Sequence, residues 1–403
     1  MQTRHGASLR TPTIMNHNWE YKRLGDVCSF IGGGTPSKSN SSYYCGTIPW
    51  ATVRDMTKFE LSSTELSISE KAVAESATKI LPKGMIIIST HVGLGKICLL
   101  MQDTAINQDL KGISFLFNEI NKYFFSYWYR SIANYIISNG KGATVKGVTL
   151  DFMKSLPIPT PSMQIQEKIV SELDKINELI EIKRSQLKDL DALAQSLFYE
   201  TFGDPIENPK GFNRKSVKEL AIVKIGPFGS LLHKEDYISG GTPLVNPIHM
   251  QNGYIKVDNN FTIDRVKKDE LTNYLLKAND IVFGRRGDIG RCALVTMNED
   301  GFLCGTGSLF IRFSININSL FSLWCFRQPV ISQYLIEKAK GATMLNINCD
   351  IIGDIPFILP PLALQEQFAA RIEAIEKQKK RVEASIADLE TLLASRMDYW
   401  FND

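Results

Sequence analysis

A chain of 403 residues has room for two ordinary domains. With 44% hydrophobic and 22% charged residues it has a globular balance, and a formal net charge of +3 is less than a protein that binds nucleic acid non-specifically usually carries, so any DNA binding must use local patches. Seven cysteines without a CxxC pair and five dispersed histidines argue against a disulfide framework and a structural zinc site.

Residues 1–18 are polar, with no apolar stretch, and read as an N-terminal extension instead of a signal peptide; Met15 would also serve as a start. No run approaches the ~20 apolar residues of a membrane span, so a soluble, cytoplasmic protein with no membrane partner is expected.

A first globular part is expected over 19–160, and three of its loops suit a polar ligand. Gly32 to Lys38 carries Gly33, Thr35, Ser37 and Lys38; Pro49 to Asp55 carries Trp50, a core residue by its size, and Arg54. The apolar strand Ile86-Ile87-Ile88 runs into Ser89 to Lys96, where Thr90, His91 and Lys96 stand among glycines that permit close backbone approach. Lys141 and Lys146 flank Gly142-Ala143-Thr144 and suit phosphate contacts.

The proline-rich run Pro157 to Pro161 ends a strand and launches a helix, predicted within 161–204. Ile169, Leu173, Ile176, Ile180, Leu187, Leu190, Ala194 and Leu197 follow alternating steps of four and three, interrupted by Lys183. That 3.5-residue period marks a helix whose apolar stripe faces another long helix. Phe202-Gly203-Asp204-Pro205 terminates it.

From Pro205 the chain is written a second time. Gly142-Ala143-Thr144 recurs as Gly341-Ala342-Thr343, and the same gapless offset pairs Asp151 with Asp350 and Gln166-Glu167 with Gln365-Glu366. A second globular part is thus expected over 205–359 and a second helix over 360–403. Phe368, Ile372, Ile375, Val382, Ile386, Leu389 and Leu393 form its stripe, with Lys379 and Arg396 as polar members. The upstream loops match more loosely. Gly226 to Ser230 parallels the first glycine loop, Pro243 to His249 brings Asn246 and His249, and the strand Asp280 to Phe283 leads into Arg285-Arg286-Gly287-Asp288-Ile289-Gly290-Arg291. Arginines there suit bidentate contact to guanine or phosphate, and Lys338 and Lys340 repeat the phosphate-side lysines.

Domain termini usually lie close together, so the second helix should begin beside the end of the first and run antiparallel to it. About 36 residues at 1.5 Å each give a rod of ~54 Å, near one and a half turns of DNA. Two similar modules on a rod could read two half-sites at a set spacing.

No motif for chemistry is complete. Asn246-Pro247-Ile248 lacks the second proline and the aromatic of an amino-methyltransferase motif, Gly93 to Lys96 lacks the frame of a phosphate loop, and Gly32-Gly33-Gly34 is no dinucleotide fingerprint. Glu181-Ile182-Lys183 lies on the helix with no acidic partner. No catalytic residue, metal site or cofactor is expected.

Together these features resemble the specificity subunits of type I restriction–modification enzymes, over nearly the whole chain from Trp19. Gly33-Gly34-Thr35-Pro36-Ser37, Tyr43 to Trp50 and Arg286-Gly287-Asp288-Ile289-Gly290 are similar to that family's recognition-domain signatures. Pro157 through Gln166-Glu167 and Pro360 through Gln365-Glu366 resemble the entry into its spacer helices. His91 stands where that family commonly carries arginine. The resemblance implies an α+β protein: two α/β target-recognition domains separated by two long antiparallel coiled-coil helices in a pseudo-two-fold repeat. It implies a bipartite double-stranded DNA site, two methylation subunits docking on the helices near Gln166, Glu167, Gln365 and Glu366, and restriction subunits for cleavage. Methyl donor and ATP would belong to those partners. Three alternatives stay open: the specificity subunit of a two-subunit system cutting both sides of its site, a stand-alone DNA methyltransferase or nuclease, and a coiled-coil adaptor that binds no nucleic acid.

Overall fold

The computed structural model describes residues 19–142, 146–260, 262–287, 289–339 and 346–402, with the Ser230 side chain set aside. Two compact units emerge, Met1–Arg184 with Ala384–Asp403, and Ser185–Glu383, so each draws on both long helices.

In the first unit a five-stranded sheet runs in the order Cys28–Gly32, Leu110–Phe115, Ile86–Ser89, Ile97–Leu100, Glu60–Leu61. The Ile86–Ser89 strand reads as an unbroken apolar run because both its faces are covered. Ile86 and Ile88 pack, with Ile97, Leu99 and Ile113, under Phe124, Phe125 and Trp128 of the helix Lys122–Ser131. Ile87, Cys98 and Leu100 face the other way, onto Ala51, Val53, Met56 and Ile106. Those last residues belong to or follow a second sheet, ordered Leu66–Ile68, Ile48–Ala51, Thr104–Ile106, Lys79–Leu81, in which Ile48–Ala51 and Thr104–Ile106 are parallel.

The second unit repeats the plan. Its larger sheet runs Ala221–Ile225, Ser308–Phe313, Ile281–Gly284, Cys292–Leu294, and its smaller one again holds a parallel pair, Thr242–Val245 with Leu303–Cys304. Ile281 and Phe283 face Phe321, Phe326 and Ile331, while Val282 faces Val245 and Phe310. In each unit a short strand pair ties the start of the globular part to its end: Tyr21–Arg23 with Pro157–Pro159, and Asn213–Ser216 with Pro356–Leu359. The chain is thereby returned beside its own entry, as the sequence predicts.

Each long helix is unbroken over 40 residues, Met163–Phe202 and Leu362–Phe401. Of the apolar steps, Ile169, Leu173, Ile176, Ile180 and Ala194 on the first helix and Phe368, Ile372, Ile375 and Val382 on the second are buried, while Leu187, Leu190, Leu197, Ile386, Leu389 and Leu393 are half-buried. Within each unit the two helices run antiparallel. In the first, Glu172 pairs with Arg396 and Arg184 with Glu390 at 2.8 Å. In the second, Phe198 and Phe202 lie 5.7 and 5.1 Å from Phe368, ring centre to ring centre, and Asp191 meets Lys379 at 2.7 Å. The polar steps Lys379 and Arg396 thus each form an ion pair between the two helices. Among the described residues no helix is long and apolar enough to cross a membrane.

Candidate nucleic-acid interface

Four strand ends converge at one edge of each globular part, and hydrogen bonds between backbones lock them together. In the first, the turn after Thr104–Ile106 is the hub. Asn107 N–H donates to Ala51 at 3.0 Å, Gly34 N–H donates to Ile106 at 3.0 Å, and Thr90 N–H donates to Asp109 at 2.9 Å. Gly33 must be glycine here: a Cβ would stand 2.2 Å from the Ile106 carbonyl oxygen. Trp50 is buried, its indole N–H donating to the Gly34 carbonyl at 3.2 Å.

The second hub repeats the first and third of these bonds and holds its glycine loop by a different one. Gly305 N–H donates to Val245 at 2.9 Å, Gly226 N–H donates to Ser308 at 3.0 Å, and Arg285 N–H donates to Gly307 at 2.9 Å. A Cβ on Gly226 would stand 2.1 Å from the Gly305 carbonyl oxygen. One further strut is shared: Val148 N–H donates to Thr90 at 2.9 Å, and Ile347 N–H donates to Arg285 at 3.0 Å. This frame carries four side-chain positions that are equivalent in the two halves. They are Thr35, Arg54, His91 and Gln108 in the first crown, and Phe228, Ile248, Arg286 and Thr306 in the second.

The first crown is concave, with polar side chains at its four positions and apolar surface from Trp50, Val53, Leu66 and Val92 lining much of its cleft. Thr35, Lys38 and Arg54 line a cleft of about 560 Å³ together with Asn107, Gln108 and Asp109. The Thr35 hydroxyl donates to the Gln108 amide oxygen. Asp55 binds back onto its own turn, accepting from the Thr52 N–H at 2.7 Å, which leaves the Arg54 side chain exposed. Thr90 is buried as part of the strut, whereas His91 is exposed, its Nδ1 4.0 Å from an Asp109 oxygen. Lys96 donates to the Val53 carbonyl at 3.2 Å and so braces two crown loops. Lys141 and Lys146 are exposed on the segment held against Thr90, and Gly147 of that segment packs on the His91 ring. Ser37 is exposed and exchanges a hydrogen bond with Ser39 at 2.7 Å.

In the second crown the arginines divide. Arg286 is exposed, while Arg285 is half-buried and donates its Nε–H to the Ile347 carbonyl at 3.2 Å. Burial, with the Arg286 charge beside it, holds Arg285 below the usual guanidinium range. Arg291 donates to the Pro247 carbonyl at 3.2 Å and ties its loop to the Asn246 loop. Asn246 accepts the Gly307 N–H at 3.3 Å. His249 is turned inward at 4% exposure, with Nδ1 2.8 Å from the Leu244 carbonyl oxygen, so its ring fixes the turn from beneath instead of facing out. Lys338 is exposed; Lys340 lies outside the described residues, as does the Ser230 side chain.

At the helix entries, Gln166 and Gln365 are buried inside their own units, and Glu167 and Glu366 are exposed. Burial leaves the two glutamines no face for a partner. The seam rhythm carries this signal, since 166 and 365 continue its steps one turn back from Ile169 and Phe368. The hub turns Asn107 to Asp109 and Gly305 to Gly307, and the exposed Phe228 and Ile248, are not singled out by sequence reasoning. Aligning the two halves on their strand ends would have found them. Among the described residues no three His, Cys, Asp or Glu side chains are arranged to hold a metal.

The family model described as the type I restriction modification DNA specificity domain matches twice, over residues 16–192 and 209–391. The MjaIX type I restriction enzyme specificity subunit of Methanocaldococcus jannaschii is 24% identical over 89% of this chain and 87% of its own length. The EcoR124I/EcoR124II specificity subunit of Escherichia coli is 33% identical over 40% of this chain and 41% of its own. Among solved structures, a chain from work on complex assembly and conformational transition of the type I R-M system superposes with a TM-score of 0.66 at 17% identity, covering 97% of this chain and 99% of that one. The type I S subunit from M. genitalium superposes with a TM-score of 0.53 at 15% identity, covering 98% and 100%. Two tandem matches to one domain, each running from a globular part into a long helix, place this chain in the type I restriction modification DNA specificity family.

Proposed function

We propose that this chain is the recognition subunit of a type I restriction–modification complex, with recognition domains at 19–160 and 205–359 that each read one half of a bipartite DNA site. The observation that carries the reading is the pair of crowns: one backbone frame, locked by matching hydrogen bonds, presenting different side chains at four equivalent positions. A shared frame with exchanged side chains is what reading two different base sequences by one docking geometry requires.

In this reading Thr35, Lys38, Arg54, His91 and Arg286 approach base edges, and Lys141, Lys146 and Lys338 meet phosphates, while Lys96, Asn246, His249, Arg285 and Arg291 hold the loops in shape. The spacer helices, 161–204 and 360–403, set the gap; 40 unbroken residues correspond to about 60 Å. They also dock two methylation subunits, for which Glu167, Glu366 and the exposed apolar side chains of Leu179, Ile182, Leu193 and Leu392 are available. Restriction subunits would join through that assembly, within the cytoplasm. The chain itself is not an enzyme in this account, and the methyl donor and nucleotide belong to its partners. Homogeneous full-length protein should bind a selected duplex yet transfer no labelled methyl group and cut no DNA; transfer or cleavage by the protein alone would refute the assignment.

A further inference from the structure

The two crowns differ in chemical kind as well as in sequence. At the position where the first carries Thr35, bonded to Gln108, the second carries Phe228, 63% exposed. Where the first carries Arg54, the second carries Ile248, 68% exposed. Gln108 is replaced by Thr306, between Gly305 and Gly307, which pack against Asn246 and Pro247. Single exposed apolar side chains are ordinary on protein surfaces. Two of them on loops bonded to the same segment, Gly305 to Ser308, with the exposed Arg286 on a third such loop, are a different matter. Among the base edges of the major groove the thymine C5-methyl is the apolar feature, and the guanine O6/N7 pair is the arginine acceptor.

We propose that the second recognition domain reads a thymine through its C5-methyl, with Phe228 and Ile248 as the apolar contact, next to a guanine taken by Arg286. This rests on the DNA-reading function above and adds the base chemistry of one half-site. In the first crown the same positions carry polar groups and make no such methyl contact.

The test begins by selecting duplexes from a random pool with the full-length chain. The half-site of the second domain is the one that relaxes when Arg286→Ala protein is used. Uracil then replaces each thymine of the selected duplex in turn, which removes the methyl group alone. The expected result is a thymine in that half-site whose replacement weakens binding about fourfold, the worth of one buried methyl-sized group. No thymine of the other half-site should respond in this way, and Phe228→Ala or Ile248→Ala protein should bind the thymine and uracil duplexes alike. A half-site lacking thymine, or equal binding of all uracil duplexes by the unaltered protein, overturns the proposal. So does a Phe228→Ala loss of equal size on both duplexes, which would make Phe228 a wedge between base steps. A pool from which nothing is selected would instead refute DNA reading itself.

Discussion

The side-chain oxygen of Gln166 accepts the backbone N–H of Asn121 at 2.8 Å, and the second half of the chain repeats the bond, Gln365 accepting from Asn318 at 3.0 Å. Both asparagines cap a helix of the globular part, Asn121 accepting from the Tyr123 N–H at 2.9 Å and Asn318 from the Phe321 N–H at 3.0 Å. The glutamine amide also donates to the proline-rich entry, to Pro161 at 2.9 Å and to Pro360 at 2.8 Å. One buried side chain thus fastens a recognition domain to the start of its spacer helix.

Removing that latch strands a backbone N–H in each half, with the Glu119 and Pro161 carbonyls at Gln166 and the Pro360 carbonyl at Gln365. Gln166→Ala and Gln365→Ala should each lower stability by roughly 2–3 kcal/mol, read by urea unfolding of the full chain. Their exposed neighbours behave otherwise: Glu167→Ala and Glu366→Ala should stay within ~0.5 kcal/mol of the parent.

Much of the architecture was legible because it is periodic. The 3.5-residue seam and the gapless repeat of the helices give long, redundant signals, and the triple isoleucine at 86–88 marks a strand covered on both faces. The crowns were less legible. They depend on parallel pairing of Ile48–Ala51 with Thr104–Ile106, strands more than fifty residues apart, and no local pattern encodes that register. His249 shows the same limit at one residue: its polarity suggests a ligand-facing loop, but the Leu244 carbonyl five residues back accepts its ring inside the turn. Gln166 is the converse case, buried where the seam rhythm already pointed.

The Glu172–Arg396 pair predicts a pH dependence. The Arg396 guanidinium bonded to Glu172, with the Trp400 indole N–H as a further donor, holds the carboxyl below its ordinary value of 4.5. A depressed carboxylate contributes stability that is fully present above the ordinary value and is lost as pH falls through the lowered one. Glu172→Gln should therefore cost up to about 1 kcal/mol at pH 7, and the difference from the parent should close as unfolding is measured below pH 4.5. A difference that persists unchanged at low pH would assign the effect to packing alone.

Phosphate and base contacts are separable by salt. Lys141→Ala and Lys146→Ala should weaken binding to every duplex alike, each lowering the slope of log affinity against log salt by about one. Arg286→Ala should instead cost ~1–3 kcal/mol at one half-site and relax specificity there.

The spacer helices can be tested as a ruler. Seven residues inserted after Leu187 and again after Ile386 preserve the seam register and lengthen the pair by ~10 Å, about three base pairs of DNA. The preferred gap between unchanged half-sites should lengthen accordingly, with the added rotation taken up by DNA or domain reorientation.

The account stands most directly on the sequence that the unaltered full-length chain selects from a random duplex pool. It predicts two short specified runs separated by an unspecified gap of constant length, with Arg286→Ala relaxing one run and leaving the other intact. A single uninterrupted specified run, or both runs relaxing together, would contradict it.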